Sequence, residues 1–359
     1  MLKALFGGAK SFALRINPTG GEQGADAGLD LVIDKKGTIL ETALEAGLAF
    51  PHDCKVGSCG TCKCKLKSGK IRERVDNALT LSREDLMAGY VLACQAHPKT
   101  DLVVEVDLLE GEEMHPVKVV AGSIKACNRQ THDIMEVVLE LDEPIEYTAG
   151  QYADIEVDGI DAPRNFSFAT GSNGALQLNV SFLIKHVPGG AFTGWLFAED
   201  RTGHAIKLHA PYGFFHLYEG AGTIFCIAGG SGLAPLLSIL EDAKHAGCTR
   251  DVVFLYGART QTDLYKLDKI QAIADGWHGE FRFDPILSEE PESSDWTGPR
   301  GLVTEFIAQQ NIDLATAQAY MCGPPPMIDA AEDVLTKAGM AANNIFADRF
   351  FDRSNVLSD

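Results

Sequence analysis

The alternation of hydrophobic and polar residues over the first 108 positions predicts a small domain of short strands with one helix. Two alternating runs flank a turn rich in glycine and acidic residues, and further runs lie beyond a cysteine-rich loop. Residues 38–47 are predicted to form a helix. Thr38 suits the N-cap, Glu41 completes a capping box and Gly47 ends the helix. The predicted strands are residues 12–16, 29–33, 64–66 and 102–106.

Over residues 117–217 the pattern changes to short β runs separated by glycine and proline turns. Runs at this spacing are typical of an antiparallel β-barrel. The predicted strands are residues 117–124, 134–141, 152–157, 165–169, 176–184 and 206–209.

After residue 220 continuous apolar strands alternate with helices, which predicts a doubly wound α/β sheet. The predicted strands are residues 223–228, 251–256, 280–285 and 319–322, with a helix over residues 235–246. The chain is therefore predicted to be multidomain. The predicted domain limits are 10–108, 115–217 and 220–359, and residues 109–116 form a polar linker.

Composition narrows the class of protein. The chain has 359 residues, of which 45% are hydrophobic and 23% charged, as in ordinary globular proteins. No apolar run reaches about 18 residues, so we predict no transmembrane segment of its own. The nine cysteines and the absence of an export signal predict a cytoplasmic protein with reduced thiols. A formal charge of −19 argues against nucleic acid as a partner.

The charge is unevenly distributed. Residues 1–110 carry 14 Lys and Arg against 15 Asp and Glu, whereas the remainder carries 17 against 35. Two interpretations of a basic run after the cysteine-rich loop stay open: a solvated strand face, or a docking patch for the acidic part of this chain or for an acidic acceptor protein. The run consists of Lys63, Lys65, Lys67, Lys70, Arg72 and Arg74.

Cysteine spacing supplies the strongest chemical signal. The pattern Cys54-x4-Cys59-x2-Cys62, followed after a long gap by Cys94, is that of the thiolate ligands of a plant-type [2Fe–2S] cluster. Gly57 lies between the ligands, where a backbone that curls round an inorganic core needs positive φ. Together with the predicted strands and helix, this loop predicts a ferredoxin-like β-grasp domain.

Other cysteine sites fit less well. A zinc site built from the first three cysteines and Cys64 would require a tight Cys62-x-Cys64 step and would leave Cys94 unused. A Rieske centre needs two histidines in place of two cysteines, and an odd number of cysteines disfavours disulfides. Cys64 is interpreted as a bystander.

Two motifs in the middle of the chain suit a flavin. Arg164, Phe166 and Ser167 at the end of a barrel strand supply a cation for pyrophosphate, an aromatic face for the isoalloxazine and a hydrogen-bond donor near N5. A strand arginine beside a core phenylalanine is the alternative interpretation. Gly190 opens a helix whose N-terminal amides could hold pyrophosphate, with Thr193 adding a hydroxyl.

Two later motifs suit a nicotinamide nucleotide. The glycine-rich loop over residues 229–235 follows a strand and begins a helix, as a phosphate-binding loop does, although it is not G-x-G-x-x-G. Cys322 ends a later strand and could face a nicotinamide, or could be a small buried residue. Arg259 could contact a 2′-phosphate, but no basic cluster surrounds it.

In this order, the motifs resemble the ferredoxin–flavin–NADH reductases of bacterial oxygenases, the family of benzoate dioxygenase reductase. The resemblance covers nearly the whole chain and is closest to the xylene monooxygenase branch. It is carried by residues 50–63, 150–154, 164–167, 229–235, 257–259, 263–265, 322–327 and 346–350. One departure is Phe166, where the family usually has tyrosine.

The resemblance implies a [2Fe–2S] cluster, FAD and NADH as cofactors. Cys54, Cys59, Cys62 and Cys94 would hold the metal, and Ser167 and Cys322 would be the catalytic residues. The implied cofactor-binding residues are Arg164, Asn165, Phe166, Ser167, Lys185, Gly189, Gly190, Thr193, Gly229, Gly230, Ser231, Gly232, Leu233, Pro235, Arg259, Cys322, Gly323, Pro324 and Phe350.

The implied function is an NADH-dependent reductase component that passes electrons from NADH through FAD and the cluster to a terminal oxygenase acting on an aromatic or other hydrocarbon. The partner would be a membrane di-iron hydroxylase, or a soluble Rieske or di-iron oxygenase. The reductase would be a cytoplasmic monomer, and a membrane partner would hold it at the periphery of the inner membrane. Alternatives are an NADH:quinone or NADH:ferredoxin reductase subunit of a respiratory or desaturase chain, and a zinc-stabilised binding module.

Overall fold

The computed structural model describes residues 11–19, 28–52, 54–109 and 115–351. The chain divides into two compact units, Met1–Val117 and Lys118–Asp359. Within the described ranges, no helix combines the length and the apolar character needed to cross a bilayer.

The first unit is a mixed sheet with one packed helix. The sheet order is β2-β1-β7-β3-β5, in which β1 is antiparallel to β2 and parallel to β7, and β4 pairs with β6 beside it. Its elements are β1 (Ser11–Pro18), β2 (Leu29–Asp34), α1 (Ile39–Glu45), β3 (Lys63–Ser68), β4 (Ile71–Glu73), α2 (Arg83–Met87), β5 (Tyr90–Leu92), β6 (Ala96–Pro98) and β7 (Leu102–Val106). This is the predicted β-grasp arrangement, with short elements β4, α2, β5 and β6 that the pattern did not predict.

Helix α1 begins as its sequence requires. The Thr38 hydroxyl accepts a hydrogen bond from the Glu41 N–H at 3.1 Å, and the Glu41 carboxylate accepts one from the Thr38 N–H at 2.9 Å. The helix buries its apolar face, and its Leu40 N–H donates to the Ala93 carbonyl at 3.2 Å. Because Ala93 precedes Cys94, this bond holds the last candidate ligand beside the cysteine-rich loop.

The first part of the second unit is an antiparallel sheet in the order β11-β10-β13-β8-β9-β12. Its two edges meet at a bridge between Phe168 and Phe182, so the sheet curls into the predicted barrel. The elements are β8 (Lys118–Arg129), β9 (Ile134–Ile145), β10 (Tyr152–Glu156), β11 (Arg164–Ser167), β12 (Gln177–Lys185), α3 (Ala191–Ala198) and β13 (Ala205–Tyr212).

The remainder of the second unit is a parallel sheet in the order β16-β15-β14-β17-β18. The first strand, β14, is buried along its whole length between β15 and β17, where the strand order reverses. Its elements are β14 (Ile224–Gly229), α4 (Leu233–His245), β15 (Val252–Ala258), α5 (Leu267–Asp275), β16 (Phe281–Leu287), β17 (Gln318–Gly323), α6 (Pro325–Lys337) and β18 (Ile345–Arg349). The predicted doubly wound fold is confirmed, and ligands of such sheets bind at this reversal, beyond the carboxyl ends of the strands.

Helix α4 fastens the barrel to the parallel sheet. Glu241 accepts a hydrogen bond from the Gly171 N–H at 2.8 Å, and Asp242 accepts one from the Asn173 N–H and one from the Ser172 hydroxyl, both at 2.8 Å. The buried Ser238 hydroxyl donates to the Thr170 carbonyl at 2.7 Å. The connection between β11 and β12 is therefore held by one turn of α4.

We expect Asp242→Ala to lower the free energy of unfolding of the second unit by about 2–4 kcal/mol, because hydrogen bonds to charged groups contribute about 1.5–3 kcal/mol each. Thermal unfolding followed by circular dichroism measures the change. The matched control is Asp333→Ala, since Asp333 pairs with Lys337 on the exposed face of α6 and such pairs contribute about 0–1 kcal/mol. Equal shifts for the two variants would contradict a fastening role for Asp242.

Candidate functional site

The four predicted metal ligands converge in the first unit. Cys54, Cys62 and Cys94 are buried, and Cys59 is partly exposed. Their thiols interact as two neighbouring pairs, Cys54 with Cys59 and Cys62 with Cys94. Two pairs of neighbouring sulfurs are what two irons require when each takes two thiolates, so the donor set fits a [2Fe–2S] cluster.

Hydrogen bonding gives the two thiols of each pair different pKa values. The Cys59 thiol lowers the pKa of Cys54 to about 7, and the Cys94 thiol lowers the pKa of Cys62. The partner thiols have raised pKa values, because each donates to the sulfur of its neighbour. A thiol that ionises readily is a better metal ligand, since the thiolate is the form that binds.

Backbone and amide donors surround these sulfurs. The Ser58 N–H donates to Cys54 Sγ at 3.3 Å, and the Gln95 side-chain amide donates to Cys94 Sγ at 3.5 Å. Gly57 has φ of +85°, and a Cβ there would come within 2.9 Å of the Gln95 and Val75 side chains. The loop therefore needs glycine at this position, as predicted.

Cys64 has a different environment. It lies in β3, opposite Val91 of β5, and is fully buried. Burial, followed by the nearby charge of Cys62, raises its pKa, which opposes the thiolate form. This placement supports the interpretation of Cys64 as a bystander.

The flavin motif forms edge strand β11 of the barrel. The Arg164 guanidinium donates to the Asp161, Ala162 and Pro163 carbonyls at 2.7–3.1 Å, and so holds the turn that precedes the strand. The Phe166 ring packs against Phe192 of α3 with centroids 5.2 Å apart. In the same strand, Asn165 is exposed and Ser167 is buried.

The glycine pair before α3 forms a tight turn. Gly189 has φ of +73°, and Gly190 is the N-cap of the helix. The Thr193 hydroxyl accepts from the Val187 N–H at 3.1 Å and donates to the Val187 carbonyl at 3.2 Å. Thr193 therefore closes the turn, and its predicted contact with pyrophosphate stays a prediction.

The glycine loop of residues 229–232 joins β14 to α4 at the point of strand reversal. A Cβ on Gly232 would overlap the Cys322 carbonyl, and one on Gly229 would lie 2.6 Å from Met327 Sδ. At Gly230, which has φ of +57°, a Cβ would lie 4.0 Å from the Lys185 Nζ. The loop thus combines close backbone approach with a nearby cation, which suits a phosphate group.

The other predicted residues of this loop fall into two groups. Ser231 is partly exposed, whereas Leu233 and Pro235 are buried within α4. These two buried residues anchor the helix, and their burial disfavours a direct contact with a nucleotide.

The end of β17 lies beside the end of β14. Cys322 is opposite Ala228 in the sheet and is fully buried, and Gly323 follows it with φ of +150°. Pro324 is the N-cap of α6. The Phe350 N–H donates to the Gly323 carbonyl at 2.9 Å, which brings the C-terminal aromatic residue to the same edge.

Arg259 follows β15 and is held by carboxylates. Its guanidinium donates to Asp133 at 3.1 Å and to Asp263 at 2.9 Å, and lies 3.3 Å from His132 Nε2. A 2′-phosphate at this place would meet two acidic side chains as well as the arginine.

The structure adds one residue to the candidate site that sequence reasoning missed. The Ser167 hydroxyl donates to the carboxylate of Asp348 at 3.3 Å, and Asp348 is the register partner of Cys322 on β18. Asp348 therefore links the two predicted catalytic residues across the barrel and the parallel sheet. The available signal was its position two residues before Phe350, within a stretch that resembles the family.

Family models and relatives agree with this geometry. The 2Fe-2S iron-sulfur cluster binding domain matches residues 25–99, the oxidoreductase FAD-binding domain residues 122–217 and the oxidoreductase NAD-binding domain residues 226–333. The chain is 45% identical to the xylene/toluene monooxygenase electron transfer component of Pseudomonas putida, over 91% of this chain and 92% of the relative.

A second relative is the propane 2-monooxygenase reductase component of Mycolicibacterium smegmatis, 33% identical over 90% of this chain and 94% of the relative. Among solved structures, the Amycolatopsis cytochrome P450 reductase superposes with a TM-score of 0.83 at 30% identity, covering 94% of this chain and 98% of that one. The similarity thus extends over both units.

We expect Cys94→Ala to lower the iron and acid-labile sulfide bound per chain by about tenfold, because it removes one thiolate of the Cys62–Cys94 pair. Cys64→Ala, the matched control, should retain the metal, although it opens a small cavity in β3. Chemical iron analysis and the visible absorption of the reconstituted protein measure both. Retention of iron in Cys94→Ala with loss in Cys64→Ala would reverse the assignment.

Proposed function

The chain belongs to the family of electron-transfer reductase components that carry 2Fe-2S, FAD-binding and NAD-binding domains in one polypeptide, and we propose that it delivers electrons from NADH to a terminal oxygenase. It is an oxidoreductase. We propose the order NADH, FAD, cluster and oxygenase, and domain limits of 10–108, 115–217 and 220–359.

The observation that carries this proposal is the meeting of Ser167, Asp348 and Cys322 beside the glycine loop. A donor and an acceptor of hydride must be held about 3–3.5 Å apart, so the flavin-binding strand and the nucleotide-binding edge must share one site. FAD, when bound, accepts an electron pair as hydride and can release electrons one at a time. The cysteine loop in the same chain supplies a one-electron site.

The chain's own groups have assignable tasks at this site. We assign Arg164, the N-terminus of α3 and Thr193 to the FAD pyrophosphate, and Phe166 and Phe350 to the flavin ring. Ser167 would present its hydroxyl to the ring, and Asp348 would orient that hydroxyl. The glycine loop and Lys185 would hold the NADH phosphates.

The first unit would hold the cluster through Cys54, Cys59, Cys62 and Cys94. The donors at Ser58 and Gln95 would stabilise the negative charge of the ligand sulfurs, which raises the cluster's affinity for an electron.

NADH is proposed as the donor because of the surroundings of Arg259. Its charge is matched by Asp133 and Asp263, so the additional charge of a 2′-phosphate would meet two carboxylates. The free 2′-hydroxyl of NADH carries no such charge and can donate to a carboxylate.

A terminal oxygenase is proposed as the acceptor because the relatives are named as an electron transfer component and a reductase component of monooxygenases. Those named systems differ, so a membrane di-iron hydroxylase and a soluble Rieske or di-iron oxygenase both stay predictions. The cytoplasm, where NADH and reduced thiols coexist, is the proposed location, with the inner membrane reached through the partner. A monomer is also a prediction.

We expect Cys59→Ala to lower NADH-dependent cytochrome c reduction by about 100-fold while NADH-dependent ferricyanide reduction stays within about twofold, because ferricyanide can take electrons from the flavin. Cys64→Ala is the matched control and should keep both activities. Loss of both activities in Cys59→Ala, with flavin bound and the protein folded, would contradict the order of transfer.

We expect Ser167→Ala and Asp348→Ala each to slow hydride transfer by about tenfold, and the double variant by little more, because Asp348 acts through Ser167. Stopped-flow flavin reduction with NADH and its 4-deuterated form measures the step, and flavin content reports on binding. Asp329→Ala is the control, since Asp329 pairs with Arg349 of β18 at 3.0 Å and does not contact Ser167. Multiplicative losses in the double variant would show that the two residues act independently.

A further inference from the structure

The cluster loop comes nearest to solvent on one side. Of the four ligands only Cys59 is partly exposed. Of the two residues that follow it, Gly60 is partly exposed and Thr61 is exposed. An electron that leaves the cluster crosses the least protein here. A redox partner that docks on this side of the first unit is therefore separated from the cluster by the shortest electron-transfer distance.

An apolar contact surface lies on this side. The short 3₁₀ turn Asn77–Leu79 precedes Thr80, whose hydroxyl donates to the Gly57 carbonyl of the cluster loop at 2.6 Å. Leu79 is 78% exposed, and Val56, beside Gly57, is 38% exposed. Two large apolar side chains thus flank the point where the turn contacts the loop.

The structure divides the basic run that adjoins this surface. Lys63 pairs with Asp85 at 3.1 Å and Lys67 with Glu105 at 3.0 Å, so these two charges are matched. Arg72 and Arg74 are exposed, and no described carboxylate lies within ion-pair distance of either. Arg72 lies in β4 and Arg74 in the bend that follows it, and both arginines act electrostatically on His97 of β6.

The arginines and the apolar turn belong to one framework. The Asn77 amide donates to the Glu73 carboxylate at 2.6 Å, which ties the turn to β4 between the two arginines. The result is a surface of apolar residues bordered by two exposed arginines. The exposed carboxylates in the same segment accept local hydrogen bonds, Glu73 from the Asn77 amide and Asp76 from the Ala78 N–H at 3.0 Å. We name the set Val56, Arg72, Arg74 and Leu79 the cluster face.

We infer that the cluster face docks the protein that accepts electrons from this chain, and that this acceptor presents an acidic rim around an apolar centre. The inference rests on the proposed function, whose acceptor is an oxygenase component. Transient electron-transfer interfaces are small, so one exposed leucine and two arginines form a large part of such a contact. The arginines would steer the encounter, and the apolar centre would exclude water from it.

Binding tests the surface without any electron transfer. The probe is cadmium-substituted plastocyanin, a redox-inert copper-protein derivative with an acidic patch, titrated by calorimetry. We expect Arg72→Glu/Arg74→Glu to weaken binding at least about tenfold at 10 mM ionic strength, and the difference to shrink to about twofold at 0.5 M, because salt screens exposed charges. Lys337→Glu, at an exposed lysine of α6 in the second unit, should change binding less than about twofold.

Rates of electron transfer from the holoprotein then distinguish the effect of the arginine charges from that of the apolar contact. Arg72→Glu/Arg74→Glu should slow reduction of copper plastocyanin about tenfold and accelerate reduction of the basic cytochrome c, since the sign of the steering charge is reversed. Leu79→Ser should slow both acceptors several-fold, whereas Val32→Ser, an equally exposed control on β2, should slow neither.

The remaining measurement distinguishes electron transfer out of the cluster from electron transfer into it. Reduction of the cluster by NADH in the absence of any acceptor should be unchanged in all these variants. Slower internal reduction with unchanged acceptor rates would overturn the inference, because the cluster face would then receive electrons from the flavin. Unchanged binding and acceptor rates in the arginine variant would overturn it as well. If NADH fails to reduce the cluster even in the unmodified protein, the proposed function fails, and the calorimetric titration still decides the docking surface.

Discussion

Gathering four thiolates in a buried loop is the physical demand around which the first unit is built. Like charges in a small volume repel one another, so each needs a cation or a directed hydrogen-bond donor. The loop supplies N–H donors from Ser58 and Gln95, and its curl depends on the left-handed backbone of Gly57. The bond from α1 to Ala93 then sets Cys94 against the loop, so the helix and the sheet both serve the position of one ligand.

The second unit depends on a different constraint, which is that two backbone segments lie very close together at a sheet edge. Gly232 lies so near the Cys322 carbonyl that a side chain has no room, and this proximity leaves the ends of β14 and β17 open to a ligand. The same edge receives β18, and with it the Asp348 carboxylate that meets Ser167. The proposed hydride-transfer site is assembled in this way from β11 of the barrel and from β14, β17 and β18 of the parallel sheet.

Much of this organisation could be predicted from local signals. The cysteine spacing and the capping box at Thr38, the short β runs over residues 117–217 and the alternation of strands and helices after residue 220 are all local patterns. The structure confirms the three folds that they predict. Long-range pairings could not be predicted. Asp348 lies 181 residues from Ser167, and Asp133 lies 126 residues from Arg259, so no periodicity relates them. The strands β4 and β6, of three residues each, are too short to leave a pattern.

The basic run shows why a charge pattern alone is ambiguous. In sequence its six cations are equivalent, yet folding places acidic partners beside Lys63 and Lys67 and leaves Arg72 and Arg74 exposed. The wider distribution gives these two arginines added weight, because residues 1–110 are nearly neutral while the remainder has 35 acidic against 17 basic residues. An acidic acceptor is repelled by the flavin- and nucleotide-binding unit and attracted locally beside the cluster. Charge would therefore direct the proposed acceptor to the one-electron site and away from the flavin, where an early exit would bypass the cluster.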